Sequence, residues 1–287
     1  MSFPRDDMAW HTPPSIDALD DVSGEYSLLL CDVWGVVHNG VQPYDRACEA
    51  LAHARELGKT VILITNSPRR AEAVGEQMTQ IGVSGDAWDA IVTSGDVTRR
   101  LIAEGPSRIF HIGTEAELHL YNGLDVELVS KEQAEAAVCT GLFNDETENL
   151  GEYDGLLTEL LERNLPMVCA NPDLKVRRGD RIVPCAGAVA KAYEERGGLV
   201  HVAGKPHKPI YEAAFDAAAK IAGRTFAREE ALAIGDGIPT DIKGAIDQDI
   251  DCLFVTGGSA GIEGDTDLFG LLQASNFQPV ASMTHLA

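Results

Sequence analysis

Basic side chains are scarce in this 287-residue chain: 23 Lys and Arg stand against 45 Asp and Glu, for a formal net charge of −22. A nucleic-acid binder carries a basic face to meet phosphates, so that class is disfavoured. An acidic chain is also repelled by anionic membranes. No apolar run reaches the roughly 18 residues of a membrane-spanning helix. The first 21 residues, MSFPRDDMAWHTPPSIDALDD, are acidic and lack the apolar stretch of a secretory signal. None of the six cysteines forms a C-x-x-C pair, and several sit inside apolar runs. That pattern predicts free thiols in a reducing compartment rather than a disulfide frame or a zinc site. A cytoplasmic protein is expected. Internal repeats and low-complexity tracts are lacking too.

What is present is a rhythm. Apolar residues make up 45% of the chain, enough to bury a substantial core. Short apolar runs recur: SLLLCDVW, TVILITN, AIVTS, RIFHIG, AAVCTG, PMVCAN, LVHVAG, ALAIGD and DCLFVTG. Helical patterns lie between them. Ala47, Leu51, Ala54 and Leu57 share one helix face, as do Ile210, Ala214, Ala217 and Ile221. Gly58 and Gly223 close these two helices. Strand–helix alternation predicts parallel βα units, hence an α/β sheet covered on both faces. The stretch from about 97 to 183 holds strands of its own and the helix-like segment TENLGEYDGLLTELLERN. It is punctuated by Gly105-Pro106, Asn144-Asp145 and Arg178-Gly179-Asp180. An inserted domain is one reading of it, and a continuation of the main sheet is the other.

Four apolar runs end in small or polar residues. LLLCDVWGVVHNG delivers Asp32, and VILITNSPRR delivers Thr65, Asn66 and Ser67. HVAGKPHKP delivers Lys205, and LAIGDGIPTDIKGA delivers Asp236 and Asp241. Ligands of open α/β sheets bind at the carboxyl ends of strands. Singly, each of these residues is as good a turn former, cap or surface side chain. Together they gather three carboxylates, one ammonium and several hydrogen-bond donors, a set suited to phosphoryl transfer. Carboxylates hold Mg²⁺ through oxygen. A metal and a lysine neutralise the transferring group, and a carboxylate can attack phosphorus to form an aspartyl-phosphate.

The order Asp-x-x-Gly, strand-Thr-Asn, Gly-Lys-Pro, Gly-Asp-x-x-x-x-Asp resembles the four motifs of the haloacid dehalogenase (HAD) superfamily of hydrolases, most of all its NagD-like and p-nitrophenyl-phosphatase-like class IIA branch. CANPD (Cys169 to Asp173) and CAGAVAKAYEERGG before GKP are similar to that branch as well. The resemblance implies a Rossmann-like parallel-sheet α/β core built from 1–97 and 184–287, with an inserted α/β (C2-type) cap over 98–183. It implies a magnesium-dependent phosphatase of a phosphorylated small metabolite; the acidic charge already disfavours nucleic acid and membrane as partners, and a homodimer is left open. Asp32 is then nucleophile and metal ligand. Trp34 lends a backbone carbonyl to the metal, Asp236 binds it directly, and Asp241 orders its waters or Lys205. Thr65, Asn66 and Ser67 bind the phosphoryl group, Lys205 steadies nucleophile and phosphate, and Asp173 is a substrate contact or a turn former.

One position departs from the pattern. Phosphatases of this superfamily carry Asp-x-Asp at the first motif, the second Asp acting as general acid and base, whereas this chain has Trp34 there. His38 is a candidate substitute acid, a substrate contact or a structural residue. Trp34 itself can stack on an aromatic or sugar face. Altered chemistry (phosphotransfer, C–P cleavage) and a non-catalytic binder of phosphometabolites are the alternative readings.

Overall fold

A computed structural model describes residues 11–144, 147–178, 181–258, 268–274 and 278–287. The sequence signals at Asp145 and Gly179-Asp180, and the first ten residues of the acidic N-terminus, lie outside these. The strands in chain order are β1 (Leu28–Cys31), β2 (Thr60–Thr65), β3 (Ala90–Thr93), β4 (Arg108–Ile112), β5 (Glu127–Leu128), β6 (Ala136–Cys139), β7 (Met167–Cys169), β8 (Lys175–Arg178), β9 (Arg181–Pro184), β10 (Val200–Val202), β11 (Ala231–Gly235), β12 (Asp251–Val255) and β13 (Ala281–Met283). Each of the nine apolar runs named above forms a strand.

A six-stranded sheet runs in the order β13-β12-β11-β1-β2-β3. β1 pairs in parallel with both β2 and β11, and β11, β12 and β13 continue in parallel. Every residue of β1, β2 and β11 is buried. A parallel strand is covered on both faces, which is why these runs read as continuous rather than alternating apolar sequence. A five-stranded sheet runs β10-β7-β6-β4-β5, parallel throughout. The antiparallel pair β8–β9 stands apart from both sheets.

The helix Asp45–Glu56 buries Ala47, Cys48, Leu51 and Ala54. It stops at Gly58, whose φ of 85° belongs to the left-handed region that a side chain resists. Gly223 (φ 70°) ends the helix Lys208–Ala222 in the same way. There the buried stripe differs from the one read in sequence. Ile210, Tyr211, Ala214 and Ala218 are buried, whereas Ile221 is exposed. The large Tyr211 side chain turns the covered face toward itself and Ala218. TENLGEYDGLLTELLERN is a 3₁₀ turn, Leu150–Tyr153, leading into the helix Asp154–Glu162.

The chain divides into two compact units. The first takes the described residues up to Ile64, Glu76–Ile91 and those from Ala214 onward; the second takes Thr65–Gly75 and Val92–Ala213. The second unit has its own apolar core, where Cys139, Leu157, Met167, Cys169, Val189 and Tyr193 are buried together. β10, just before Lys205, hydrogen-bonds to β7. It therefore belongs to the five-stranded sheet, although motif positions group it with the chain's last segment. A three-residue strand carries no sequence mark of which sheet it joins. No described helix is long and apolar enough to cross a membrane.

Candidate active site

β1 pairs through Cys31 with Ile234 of β11. The next residue, Asp32, donates its N–H to the Ile234 carbonyl at 2.8 Å. This fixes Asp32 at the carboxyl edge of the sheet, where it is buried. β11 ends at Gly235, and Asp236 follows it. A π-helical turn, Ile238–Ile242, then brings Asp241 back beneath the strand end; such wide turns concentrate at functional sites. The Asp241 carboxylate accepts from the Gly237 N–H at 3.0 Å and from the Thr240 hydroxyl at 3.2 Å.

Asp32, Asp236 and Asp241 each offer a carboxylate oxygen within 4.8 Å of the others, and all three residues are buried. Carboxylates massed at this range repel, and positive charge among them stabilises the ionised forms. An all-oxygen set of this span matches a hard divalent cation, whose ligands stand about 2.0–2.6 Å from it. The cluster therefore fits a divalent metal on the chemistry of its donors. Close packing makes it possible: a Cβ on Gly235 would lie 2.3 Å from Asp241 Cβ, and one on Gly258 would lie 2.2 Å from Asp236 Oδ2. Gly235, Gly258 and Thr240 were not singled out from sequence as site residues. The G-D-G-x-x-T-D string carries Gly235 and Thr240, but nothing local marks Gly258.

In the second unit, Thr65 is buried and its hydroxyl accepts from the Ser67 N–H at 3.2 Å, ordering the turn after β2. The Asn66 side chain clamps the backbone of Lys205. Its Oδ1 accepts from the Lys205 N–H at 2.7 Å, and its Nδ2 donates to the Lys205 carbonyl at 3.1 Å. The Asn66 amide is thus engaged in positioning Lys205, a role sequence reading had not given it. Gly204 allows the clamp, since a Cβ there would sit 2.5 Å from Asn66 Oδ1 and 2.9 Å from Pro172 Cδ. Lys205 is buried. Asp173 donates its N–H to Asn171 Oδ1 at 3.0 Å, the geometry of an Asx turn.

Trp34 and His38 meet edge to face, with ring centroids 5.4 Å apart. His38 is buried, and its Nδ1 accepts from the Gly40 N–H at 2.8 Å. A neutral ring that accepts at Nδ1 carries its proton at Nε2. Burial holds the His38 pKa below the usual imidazole value.

A Rossmann-like parallel sheet with carboxylates massed at its carboxyl edge is an α/β architecture whose donor set suits metal-assisted chemistry. Comparison with known proteins narrows this. A haloacid dehalogenase-like hydrolase model matches residues 29–127, and a second HAD-hydrolase-like model matches residues 202–271. A haloacid dehalogenase-like hydrolase of Brucella suis 1330, known from its crystal structure, is 49% identical with a TM-score of 0.80, over 95% of this chain and 100% of that one. The chain belongs to the haloacid dehalogenase-like family of hydrolases. More distant relatives include the D-glycerol 3-phosphate phosphatase of Mycobacterium tuberculosis, 28% identical over 79% of this chain, and the acid sugar phosphatase of Staphylococcus saprophyticus subsp. saprophyticus, 24% identical over 81% of this chain. The matched region spans 62% of the former's length and 87% of the latter's.

Proposed function

We propose that this chain is a Mg²⁺-dependent phosphatase of a phosphorylated small metabolite that works through an aspartyl-phosphate on Asp32. The observation that carries the reading is the convergence of the Asp32, Asp236 and Asp241 carboxylates within 4.8 Å. Asp32 and Asp236, with the Trp34 backbone carbonyl, would hold the metal, and Asp241 would order its surroundings. Bound there, Mg²⁺ supplies charge neutralisation for the phosphoryl oxygens. Thr65, Ser67 and the backbone amides near Asn66 donate to those oxygens. Lys205, fixed by Asn66, steadies nucleophile and phosphate. Family membership supports these roles, and so do the phosphatase names of the relatives. Segment 98–183, extended by the rest of the second sheet, is assigned as the cap that selects the substrate, with Asp173 in a turn of it.

The protein purified with Mg²⁺ is expected to hydrolyse members of a panel of phosphate monoesters and to yield phosphorylated Asp32 after rapid quenching and peptide mass analysis. Phosphate release without label on Asp32 would remove the nucleophile assignment. Trp34 in place of a carboxylic acid favours one second reading, a related reaction such as phosphotransfer or C–P cleavage. That reading predicts the same labelled Asp32 without net hydrolysis of monoesters.

A further inference from the structure

The loop that follows Asp32 narrows the chemistry of the group leaving phosphorus. The next five residues are Val33, Trp34, Gly35, Val36 and Val37, none with a titratable side chain. The three valines are buried, whereas Trp34 is 50% exposed. Its ring is nonetheless fixed. A Cβ on Gly40 would lie 2.2 Å from Trp34 Cη2 and 2.7 Å from Cζ3, so the six-membered ring rests directly on the Gly40 backbone. Gly40 has a φ of +86°, and its N–H is tied to His38, whose ring meets the indole at 78°. Asn39 Oδ1 accepts from the N–H groups of Val41 and Gln42, which stiffens the same turn. Val41 at its tip is 80% exposed. The loop adjoining the nucleophile thus presents a pre-positioned aromatic face and an apolar tip, and no carboxyl group. A rigid aromatic anchor binds with little loss of conformational freedom.

We propose that Trp34, seated on Gly40 and His38, is the platform for the leaving group, and that the substrate class is the phosphate monoester of a planar, conjugated hydroxyl compound, aryl or enol. The proposal rests on Asp32 acting as nucleophile. In the first step an Asp32 carboxylate oxygen bonds to phosphorus as the P–O bond to the leaving group breaks. The bonding pair departs with that oxygen as a phenolate or enolate, which conjugation stabilises and which later takes a proton from water. Water then attacks the aspartyl-phosphate, releasing phosphate and restoring Asp32. The sum is ester plus water to hydroxyl compound plus phosphate. An alkyl alkoxide has no such stabilisation, and a positioned acid would be worth about 10²–10⁴-fold to it.

The test compares kcat/KM for phenyl and p-nitrophenyl phosphate with that for glycerol 3-phosphate and a simple alkyl phosphate, in wild type, Trp34→Leu, Trp34→Phe and Gly40→Ala. Competitive inhibition by inorganic phosphate is the control for an intact phosphate site. Wild type is expected to favour the aryl esters by about 10²-fold or more, the size of the missing acid's contribution. Trp34→Leu is expected to raise KM for the aryl esters about 10-fold, the worth of one stacking contact, with phosphate inhibition unchanged. Trp34→Phe should restore most of that loss, and Gly40→Ala, which dislodges the indole, should mimic Leu. Equal rates on aryl and alkyl esters, or an aryl KM indifferent to Trp34→Leu, would overturn the inference while leaving the phosphatase standing. Failure to hydrolyse any ester would bring down both.

Discussion

The two edges of the six-stranded sheet are built from the same strands and treat charge in opposite ways. At the amino edge charged and polar side chains meet complementary partners. Lys59 Nζ donates to the Ser23 and Tyr26 carbonyls at 2.6 and 2.8 Å, tying the start of β2 to the segment before β1. Tyr26 donates its hydroxyl to Asp251 at 2.9 Å, and burial first, then Asp251, pushes its pKa above the usual phenol range. Arg224 pairs with Glu230 at 2.8 Å, and Ser27 donates to the same carboxylate at 3.0 Å. At the carboxyl edge three buried carboxylates converge instead. Opposite charges in register hold a fold together. Like charges held together need the rest of the fold to keep them there, and they persist where a ligand makes use of them. The same strands thus carry complementary pairs at one edge and, in the proposed function, the reacting groups at the other.

The sharpest way to break this contrast is at Asp32. Asp32→Asn keeps the shape and removes a nucleophile, so turnover is expected to fall by on the order of 10⁴-fold or more. Without metal its thermal midpoint should stay close to that of wild type, because the amide keeps the shape of the side chain. A lower midpoint would mean that the carboxylate serves the fold. Next is Asp236→Ala, which is expected to abolish the thermal shift that Mg²⁺ gives the wild type. It should also cost several kcal/mol of transition-state stabilisation, roughly 10³-fold in rate. Undiminished activity in EDTA would sink the metal site.

The amino edge should answer in the other currency. Lys59→Met removes two charge-assisted bonds to carbonyls and is expected to lower unfolding free energy by about 1–3 kcal/mol, read in denaturant, with kcat unchanged. Smallest is Glu230. The Arg224 side chain, then the Ala227 N–H and the Ser27 hydroxyl, hold its pKa down at about 2 against an ordinary 4.5. A depressed carboxylate stabilises the fold above its ordinary range, and that contribution fades as pH falls toward 2. Glu230→Gln should therefore melt slightly below wild type at pH 7, with the gap closing on acidification. Because this carboxylate is solvent-screened, the difference is expected to be modest; a gap that widens in acid would contradict the assignment.

The sequence alone determined the α/β alternation, because a strand covered on both faces must be apolar throughout, and β1, β2 and β11 are. It marked Gly58 and Gly223 as helix ends, since a left-handed residue at the C-terminus favours glycine. It also placed Asp32, Thr65, Lys205 and Asp236 at strand ends, where an apolar run gives way to polar residues. What it left undetermined involves partners distant in the chain. β5, β8, β9 and β13 carry too short or too polar a pattern to stand out, and β10 reveals its sheet only through its bonds to β7. That Asn66 holds the Lys205 backbone across 139 residues, and that Gly258 gives Asp236 its room, are matters of close contact. Trp34 reads in sequence as a missing acid, and only the tertiary structure shows its ring laid on Gly40. Local pattern encodes which face is apolar and where a strand stops; which side chains then touch is decided by packing, where a single Cβ either fits or does not.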